Sequence, residues 1–512
     1  VLCLEQEGKL GILDLRLVRR SVASLTAVAA LAVFTGPSWA AEDYNPKMSS
    51  GAKRVELQED AFEADPAYED QDYDIDAQLA IYGGKSEVVA PRPLFELGRK
   101  QYVPGQLPEP SEVFGELNPT NFAIQAFGDW RTAVAFNDFG NNELAQIATR
   151  LNIDIDMKIT STERLHAFIR PLDSGADFTR CELAGNDKDQ GCKLQSDLNL
   201  ETLFFEGDFS NILSGITGEY YKTDRPFTFG FVPLFFQNGL WMDDAIFGGA
   251  FSFPALNSPV LDITNMDFTL FYGFNDVNNP AIRDLSGGVA DHSVQAYGAH
   301  AFIEAREGYL EVGYGILDAD RGKIGDQDLH SLGVSWSSRY KNIFGYSLRT
   351  FISRQKRDDG GRDLGNGMAF LLETSWMTSK PYTFIPYANF FLGINRPQPL
   401  ANAEGLLINT GINFETDGLT GFPFLDDTAA DTFGGAIGLQ YLFNLDQQLV
   451  VEAATVQQYG EQANIAGDQY ALGVRWQLPI SKAWILRADA MYGVRINDDD
   501  IGGVRFEVRR KF

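Results

Sequence analysis

From about residue 121 onward the chain repeats with a period of two, and that period governs what it can become. Leu151, Ile153, Ile155, Met157 and Ile159 alternate with Asn152, Asp154, Asp156 and Lys158. An extended strand built from them has one apolar face and one wet face. The rows Leu310, Val312, Tyr314, Ile316; Phe370, Leu372, Thr374, Trp376; Ile437, Leu439, Tyr441, Phe443; and Tyr470, Leu472, Val474, Trp476, Leu478 repeat the pattern. The last residues do the same, with Val504, Phe506, Val508 and Phe512 on one row and Arg505, Glu507, Arg509 and Lys511 on the other. Arg510 falls on the apolar row, close enough to the strand end for its long side chain to snorkel. No stretch reaches roughly 18 uninterrupted apolar residues, which excludes helical membrane spans.

Strands that are apolar on one side need no high mean hydropathy to face lipid. Fifty glycines and 38 phenylalanines suit turns and an aromatic-rich outer wall. Trp376, Phe443, Tyr470 and Trp484 stand at or near strand ends, where interfacial girdles belong. Arg16, Arg19 and Arg20, the apolar run 22–34 and the small residues Ser38 and Ala40 read as a secretory leader, so residues 1–40 are expected to be removed. Of the three cysteines, Cys3 would leave with it; Cys181 and Cys192, close together in a polar segment of an exported chain, are expected to form a disulfide across a surface loop.

A formal charge of −28 argues against a nucleic-acid partner. The acids gather between the expected strands, at Asp243-Asp244, Asp318 and Asp320, Asp358-Asp359, Asp426-Asp427 and Asp498-Asp499-Asp500. They are read as solvated loops or, alternatively, as groups bridged through divalent cations to lipopolysaccharide. Residues 41–120 form a separate acidic, proline-rich periplasmic extension or plug, with Asp70, Asp72, Asp74 and Asp76 in alternation. These alternate aspartates lack the glycine and distal glutamate of a calcium-binding hand loop. No metal pattern, phosphate loop or dinucleotide fingerprint appears, and no cofactor is expected.

Connection lengths set direction. Short links at 160–163, 304–308, 378–381, 444–447 and 479–482 are expected on the periplasmic side, and longer links at 172–196, 275–292, 356–367, 395–432 and 459–467 outside. Alternating them gives an all-β transmembrane antiparallel barrel of about 18 strands over residues 121–512, with 16 as the alternative. The ambiguous stretches are 234–265 and 406–415. Residues 227–249, with Pro233, Asn238-Gly239 and Asp243-Asp244, suit a loop that folds inward and narrows a pore.

The wet face carries Arg349, Arg475, Arg487, Arg495, Arg505, Arg509 and Lys511, interrupted by Asp489 and Glu507. Two readings follow. A guanidinium ladder lining a water-filled lumen would bind anions in successive weak steps; alternatively the arginines form internal salt bridges that hold the wall. Asp291-His292-Ser293 and Asp328 with His330 and Ser331 hint at a hydrolase, but triad members come from separate segments, and enzyme chemistry is not expected.

The leader, the period-two strands and the terminal Phe512 resemble Gram-negative outer-membrane porin-type β-barrels over about residues 121–512. The resemblance implies an outer-membrane location and a closing strand, with Phe506, Val508 and Phe512, that the barrel-insertion machinery reads. The 18-strand estimate and the arginine-bearing wall are more narrowly similar to the alginate-export barrels, with Leu97-Gly98-Arg99-Lys100-Gln101 only loosely like an element of that family. The expected function is an outer-membrane channel for small or extended solutes with a preference for anions; the alternatives are export of an anionic polysaccharide and a structural or adhesive barrel without a pore. Deleting Phe512 is expected to lower the outer-membrane yield while leaving export to the periplasm intact, measured by membrane fractionation; an unchanged yield would remove Phe512 from the assembly signal.

Overall fold

The computed structural model describes residues 93–98 and 110–512, apart from 175–176, 186–190, 199, 285–287, 289–292, 320–326, 358–363, 381–382, 417, 444–446 and 462–465. The leader, the alternating aspartates 70–76, Asp291-His292, Asp320, Asp358-Asp359 and Arg99–Gln101 lie outside those residues.

Eighteen antiparallel strands form one closed wall. They are β1 (Ala123–Asp138), β2 (Glu143–Lys158), β3 in two pieces (Arg164–Ile169 and Asp177–Gly185), β4 in two pieces (Cys192–Lys193 and Leu200–Asp208), β5 (Pro226–Phe236) and β6 (Met242–Ser258). Next come β7 (Ile263–Asn275), β8 (Gln295–Ala305), β9 (Gly308–Ala319), β10 (Gln327–Tyr340), β11 (Phe344–Arg357) and β12 (Gly367–Trp376). The wall ends with β13 (Phe384–Asn395), β14 (Thr432–Phe443), β15 (Gln447–Gln458), β16 (Gln469–Pro479), β17 (Trp484–Arg495) and β18 (Ile501–Lys511). Each strand pairs with the next, and β1 pairs with β18 from Asp129↔Lys511 to Asp138↔Gly502, which closes the ring. A bilayer core offers no water to unpaired amides, so closure is what lets these strands cross it.

Past the end of β18 the backbone of Phe512 exchanges both hydrogen bonds with Gly128, each at 3.0 Å. Beyond it the short strand Phe95–Gly98 pairs with Ala123–Ala126, covering the stretch of β1 that β18 does not reach. Val504 and Phe506 point outward and are exposed to what would be lipid. Arg510, on the same row, places its guanidinium over the Trp484 ring at 5.6 Å, within range of a cation–π contact. Near a strand end a lipid-side cation costs about 0–1 kcal/mol, against about 2–4 kcal/mol at the midplane.

Aromatic belts mark the two boundaries. Tyr340, Phe344, Trp376, Phe384, Phe443 and Trp484 are exposed at the short-turn ends of their strands, and Tyr272, Tyr297, Tyr470 and Tyr492 toward the opposite ends. The turns at the first of these ends are short: Arg306 and Glu307 alone connect Ala305 to Gly308, both with positive φ (49° and 58°). Two such residues make the mirror-image turn whose twist matches that of paired strands. One link at the same end is longer and holds a helix, α1 (Phe209–Thr217), between β4 and β5.

Two sequence expectations are corrected. Residues 172–196 are not one surface loop, because they contain wall segments of β3 and β4. The outward row there carries Thr179 and Cys181, opposite Thr149 and Ile147, in place of large apolar residues, which conceals the period; Arg180 and Glu182, ion-paired at 2.9 Å, lie on the inward row. Residues 227–249 lie mostly in the wall strands β5 and β6, and only the turn at 237–241 departs from the wall, through Asn238 (φ 58°) and Gly239 (φ 77°). Residues 406–415, which the sequence left open between strand and inward loop, form no wall strand. Cys181 and Cys192 are bonded, as expected, with their Cα atoms 4.0 Å apart, and stand as a directly opposed pair of β3 and β4.

A wall with every strand paired resists detergent until heated. Unboiled protein is expected to migrate apart from boiled protein on a denaturing gel; identical migration would contradict closure.

Candidate functional site in the barrel lumen

Alternation sends every second side chain inward, and the lumen they enclose is packed. Phe351, Leu317, Leu329, Leu371 and Phe391 from the wall join Trp241, Leu400, Leu406, Phe414 and Leu425 from the connecting segments in one buried apolar cluster. The turn after β5 enters it. Trp241 is fully buried and donates through Nε1 to Ser331 Oγ at 3.1 Å, while Gln237 Nε2 donates to the Gly333 carbonyl at 3.0 Å. Gly313 makes room for this tryptophan: a Cβ on it would stand 2.5 Å from the indole ring. The Phe236 ring stacks on His300 at 4.4 Å, and His300 Nε2 lies 3.3 Å from Glu311.

The connection 396–431 between β13 and β14 crosses the lumen. It starts against the inturned hairpin, with Leu400 N donating to Trp241 O at 2.7 Å and Asn402 Nδ2 to Gly239 O at 3.1 Å. It next meets Glu452 of β15, whose fully buried carboxylate accepts from Ile412 N (3.1 Å), Asn413 N (2.9 Å), Asn413 Nδ2 (2.9 Å) and Tyr387 OH (2.6 Å). It ends on the far wall, where the Gly418 carbonyl accepts from Arg150 at 3.1 Å and the Thr420 carbonyl accepts from Asn137 and Gln146, each at 2.7 Å. A buried loop leaves its backbone groups without water, and the wall's amide and guanidinium side chains take water's place.

Between these anchors lies the charged cluster on β16–β18 and β1. Arg475 meets Asp489 at 2.7 Å and Glu415 of the crossing loop at 2.9 Å; Arg487 meets Asp489 at 2.8 Å and Glu415 at 3.9 Å. Arg505, almost wholly buried, meets Asp489 at 3.4 Å and also pairs with Glu507. Glu507 further accepts from Arg131 at 3.0 Å and from Arg509 at 2.9 Å, and Arg509 reaches Asp129 at 3.5 Å. Five guanidinium groups thus interlock with four carboxylates.

Of the two readings of the wet face, internal ion pairing describes the geometry. Each expected arginine has a carboxylate partner: Arg349 pairs with Glu373 at 2.6 Å, and Arg495 with Asp498 at 2.9 Å near the outer end of β17. Asp489 and Glu507, which seemed to interrupt the row, are its counter-charges. Buried guanidinium groups without partners would each cost several kcal/mol, which is why the acids sit among them. Phe506, Val508 and Phe512 stand on the outward row of β18, apart from this cluster.

Sequence reasoning missed Arg131, Glu415, Glu452 and Trp241. Arg131 and Glu507 are 376 residues apart and meet only because β1 closes on β18. Glu452 had a signal, as the one acid on an inward row that otherwise reads Val450, Ala454, Val456. Ser331 and His330 of the hydrolase hint do not meet: Ser331 points into the lumen toward Trp241, whereas His330 points outward to Tyr314 OH at 2.8 Å. Asp426 and Asp427, expected in a solvated loop, are buried within the crossing segment.

Burial pushes the Asp427 carboxyl up to about 7, opposed by a hydrogen bond from Gly405 N and reinforced by the neighbouring Asp426. Its folded-state value lies above that of free aspartate, so the packed loop binds the proton more tightly than the released one. This contribution to packing is complete below about pH 4 and is lost as pH rises through about 7. Hydrogen-exchange protection of the Gly405 and Leu407 amides, corrected for intrinsic rate, is expected to fall about tenfold between roughly pH 5 and 8, and to stay nearly flat in Asp427→Asn. A pH-independent wild type would contradict the buried carboxyl.

No protein-family model matches the chain and no curated protein sequence matches it. Among solved structures, Pseudomonas aeruginosa OccK9 (OpdG) aligns with a TM-score of 0.51 at 10% identity, over 76% of this chain and 98% of that one. Acinetobacter baumannii OccAB4 aligns with a TM-score of 0.50 at 10% identity, over 76% and 98%. Likeness at that identity extends to the fold alone. The closed wall, the outward apolar rows and the two aromatic belts make the chain an 18-stranded antiparallel β-barrel, the fold it shares with those two structures.

Proposed function

We propose that this barrel is a channel for small solutes across the outer membrane, that loop 396–431 governs its passage, and that its charge selection leans toward anions. The supporting observation is the ion-pair cluster, in which guanidinium groups outnumber the carboxylates they meet and one carboxylate, Glu415, belongs to the crossing loop rather than the wall. Movement of the loop would withdraw Glu415 and leave Arg475 and Arg487 with a larger local excess of positive charge. Paired guanidinium groups still offer unused N–H donors in a fixed fork, suited to brief contacts with a passing anion.

Export of an extended anionic polysaccharide is the weaker reading. Such a polymer would have to displace a loop bonded to Asn137, Gln146, Arg150, Glu452 and Arg475 on separate parts of the wall. A barrel serving only structure or adhesion would show no stepwise conductance in a planar bilayer. As part of the same proposal, the closing strand with Phe512 engages the insertion machinery, and the outer tip Asp498–Asp500 meets lipopolysaccharide through divalent cations.

Reversal potentials under a salt gradient test the anion preference. Wild-type protein is expected to favour anions. Glu415→Gln should strengthen that preference, and Arg487→Gln combined with Arg495→Gln should weaken it, with Leu486, Ala488 and Val494 on the lipid side untouched. The differences should shrink as salt rises from about 0.01 M to about 1 M and the screening length falls from about 30 Å to about 3 Å. A cation-selective wild type would overturn the anion preference, and an absence of conductance the channel itself.

A further inference from the structure

Helix α1 is amphipathic in the reverse sense of a helix that packs its apolar face onto a protein. Phe209, Leu213 and Ile216, spaced i, i+4, i+7, share one face, and Leu213 and Ile216 are 44% and 75% exposed. Ser210 and Ser214, on another face, are buried. The reason lies in what covers the serines. Ser214 Oγ donates to Ser210 O at 2.7 Å and accepts from Tyr221 N at 3.1 Å, and Ser210 Oγ donates to the Thr223 carbonyl. On the same side the backbone of Phe114 comes so near Gly215 that a Cβ there would stand 2.2 Å from the Phe114 carbonyl oxygen.

The helix is held firmly in this orientation. Asp208 caps its N-terminus by accepting from Asn211 N at 2.9 Å and ties down the returning chain through Arg225 N at 2.5 Å. Gly218 ends it in the left-handed region at φ 73°. The apolar face is continuous with the outside of the barrel: the Phe209 ring stacks on Phe227 at 4.0 Å and approaches Phe251 at 5.9 Å. Phe227 and Phe251 are directly opposed on β5 and β6. They lie on the outward rows that include the exposed Phe229 and Phe247.

From this arrangement we infer that α1 is an interfacial helix seated at the headgroup–acyl boundary of the periplasmic leaflet, with Phe209, Leu213 and Ile216 among phospholipid acyl chains. Its position at the periplasmic rim, in line with a lipid-facing aromatic row, identifies the occupant as the membrane. The flanking charges are mixed, Asp208, Glu219 and Asp224 against Lys222 and Arg225. Attachment therefore comes from apolar burial rather than attraction to anionic headgroups, and a zwitterionic lipid suffices.

The test places an environment-sensitive nitrobenzoxadiazole label on Ile216→Cys, and separately on Leu213→Cys. Both are made in the full chain with Cys3→Ser and the disulfide intact, and reconstituted in phosphatidylcholine vesicles. Heat-modifiable migration verifies folding of each variant. Both labels are expected to emit at the shorter wavelengths of an apolar setting and to lose at least half their intensity when the acyl chains are brominated, while a label on Glu461→Cys in an outer loop is unaffected. Water-like emission without quenching at both positions would overturn the inference by placing the helix in the periplasm. Short-wavelength emission without quenching would overturn it too, because the face would then be covered by protein, such as another part of this chain.

Discussion

The pairing of β1 with β18 is the contact on which the rest depends. Hydrocarbon cannot satisfy an open sheet edge, so the wall must close before any of its faces acquires a meaning. Closure turns alternation into inside and outside for all the strands at once. It also brings Arg131 beside Glu507 across 376 residues of sequence. The backbone of Phe512 finishes the seam on Gly128, and Phe95–Gly98 continues it, so the edge of β1 is covered beyond the point where β18 ends.

Once the inside exists, burial decides what happens to its charges. The inward arginines of β16–β18 stand too close to one another and too far from bulk water to remain without counter-charges. Asp489 and Glu507 supply two from the wall and Glu415 supplies a third from a loop. An ion pair taken out of water contributes little net stability, since desolvation offsets most of the attraction. Its value here is positional: removing either partner would leave the other buried and unpaired, so the crossing loop is fixed in one register against the wall.

The same loop has to be both apolar enough to pack and polar enough to be satisfied. Leu406, Phe414 and Leu425 enter the buried cluster, while the carbonyls of Thr410, Gly418 and Thr420 are met by Asn389, Arg150, Asn137 and Gln146. The inturned hairpin with Trp241 is seated by similar means, in the space left by Gly313 and on a hydrogen bond to Ser331. A lumen organised this way is a set of discrete contacts that together hold the loop in one register.

The sequence by itself determined the wall: residues such as Leu151–Ile159 and Val504–Phe512 alternate because one face meets lipid, and the bilayer imposes that demand locally, strand by strand. The short links and the cysteine pair were legible for the same reason, since each depends on neighbours in the chain. What the lumen contains was decided only in three dimensions. Alternation says that Arg475, Arg487 and Arg505 face inward but not what they meet, because Glu415 arrives from a loop and Glu507 acts on both sides of the barrel seam. The exposed face of α1 belongs to the same class: nine residues spell an amphipathic helix, but which face is buried depends on Phe114 and the strand Phe227 comes from. Periodicity records the solvent a side chain meets; its partners are set by closure and by the folding of loops into the enclosed space.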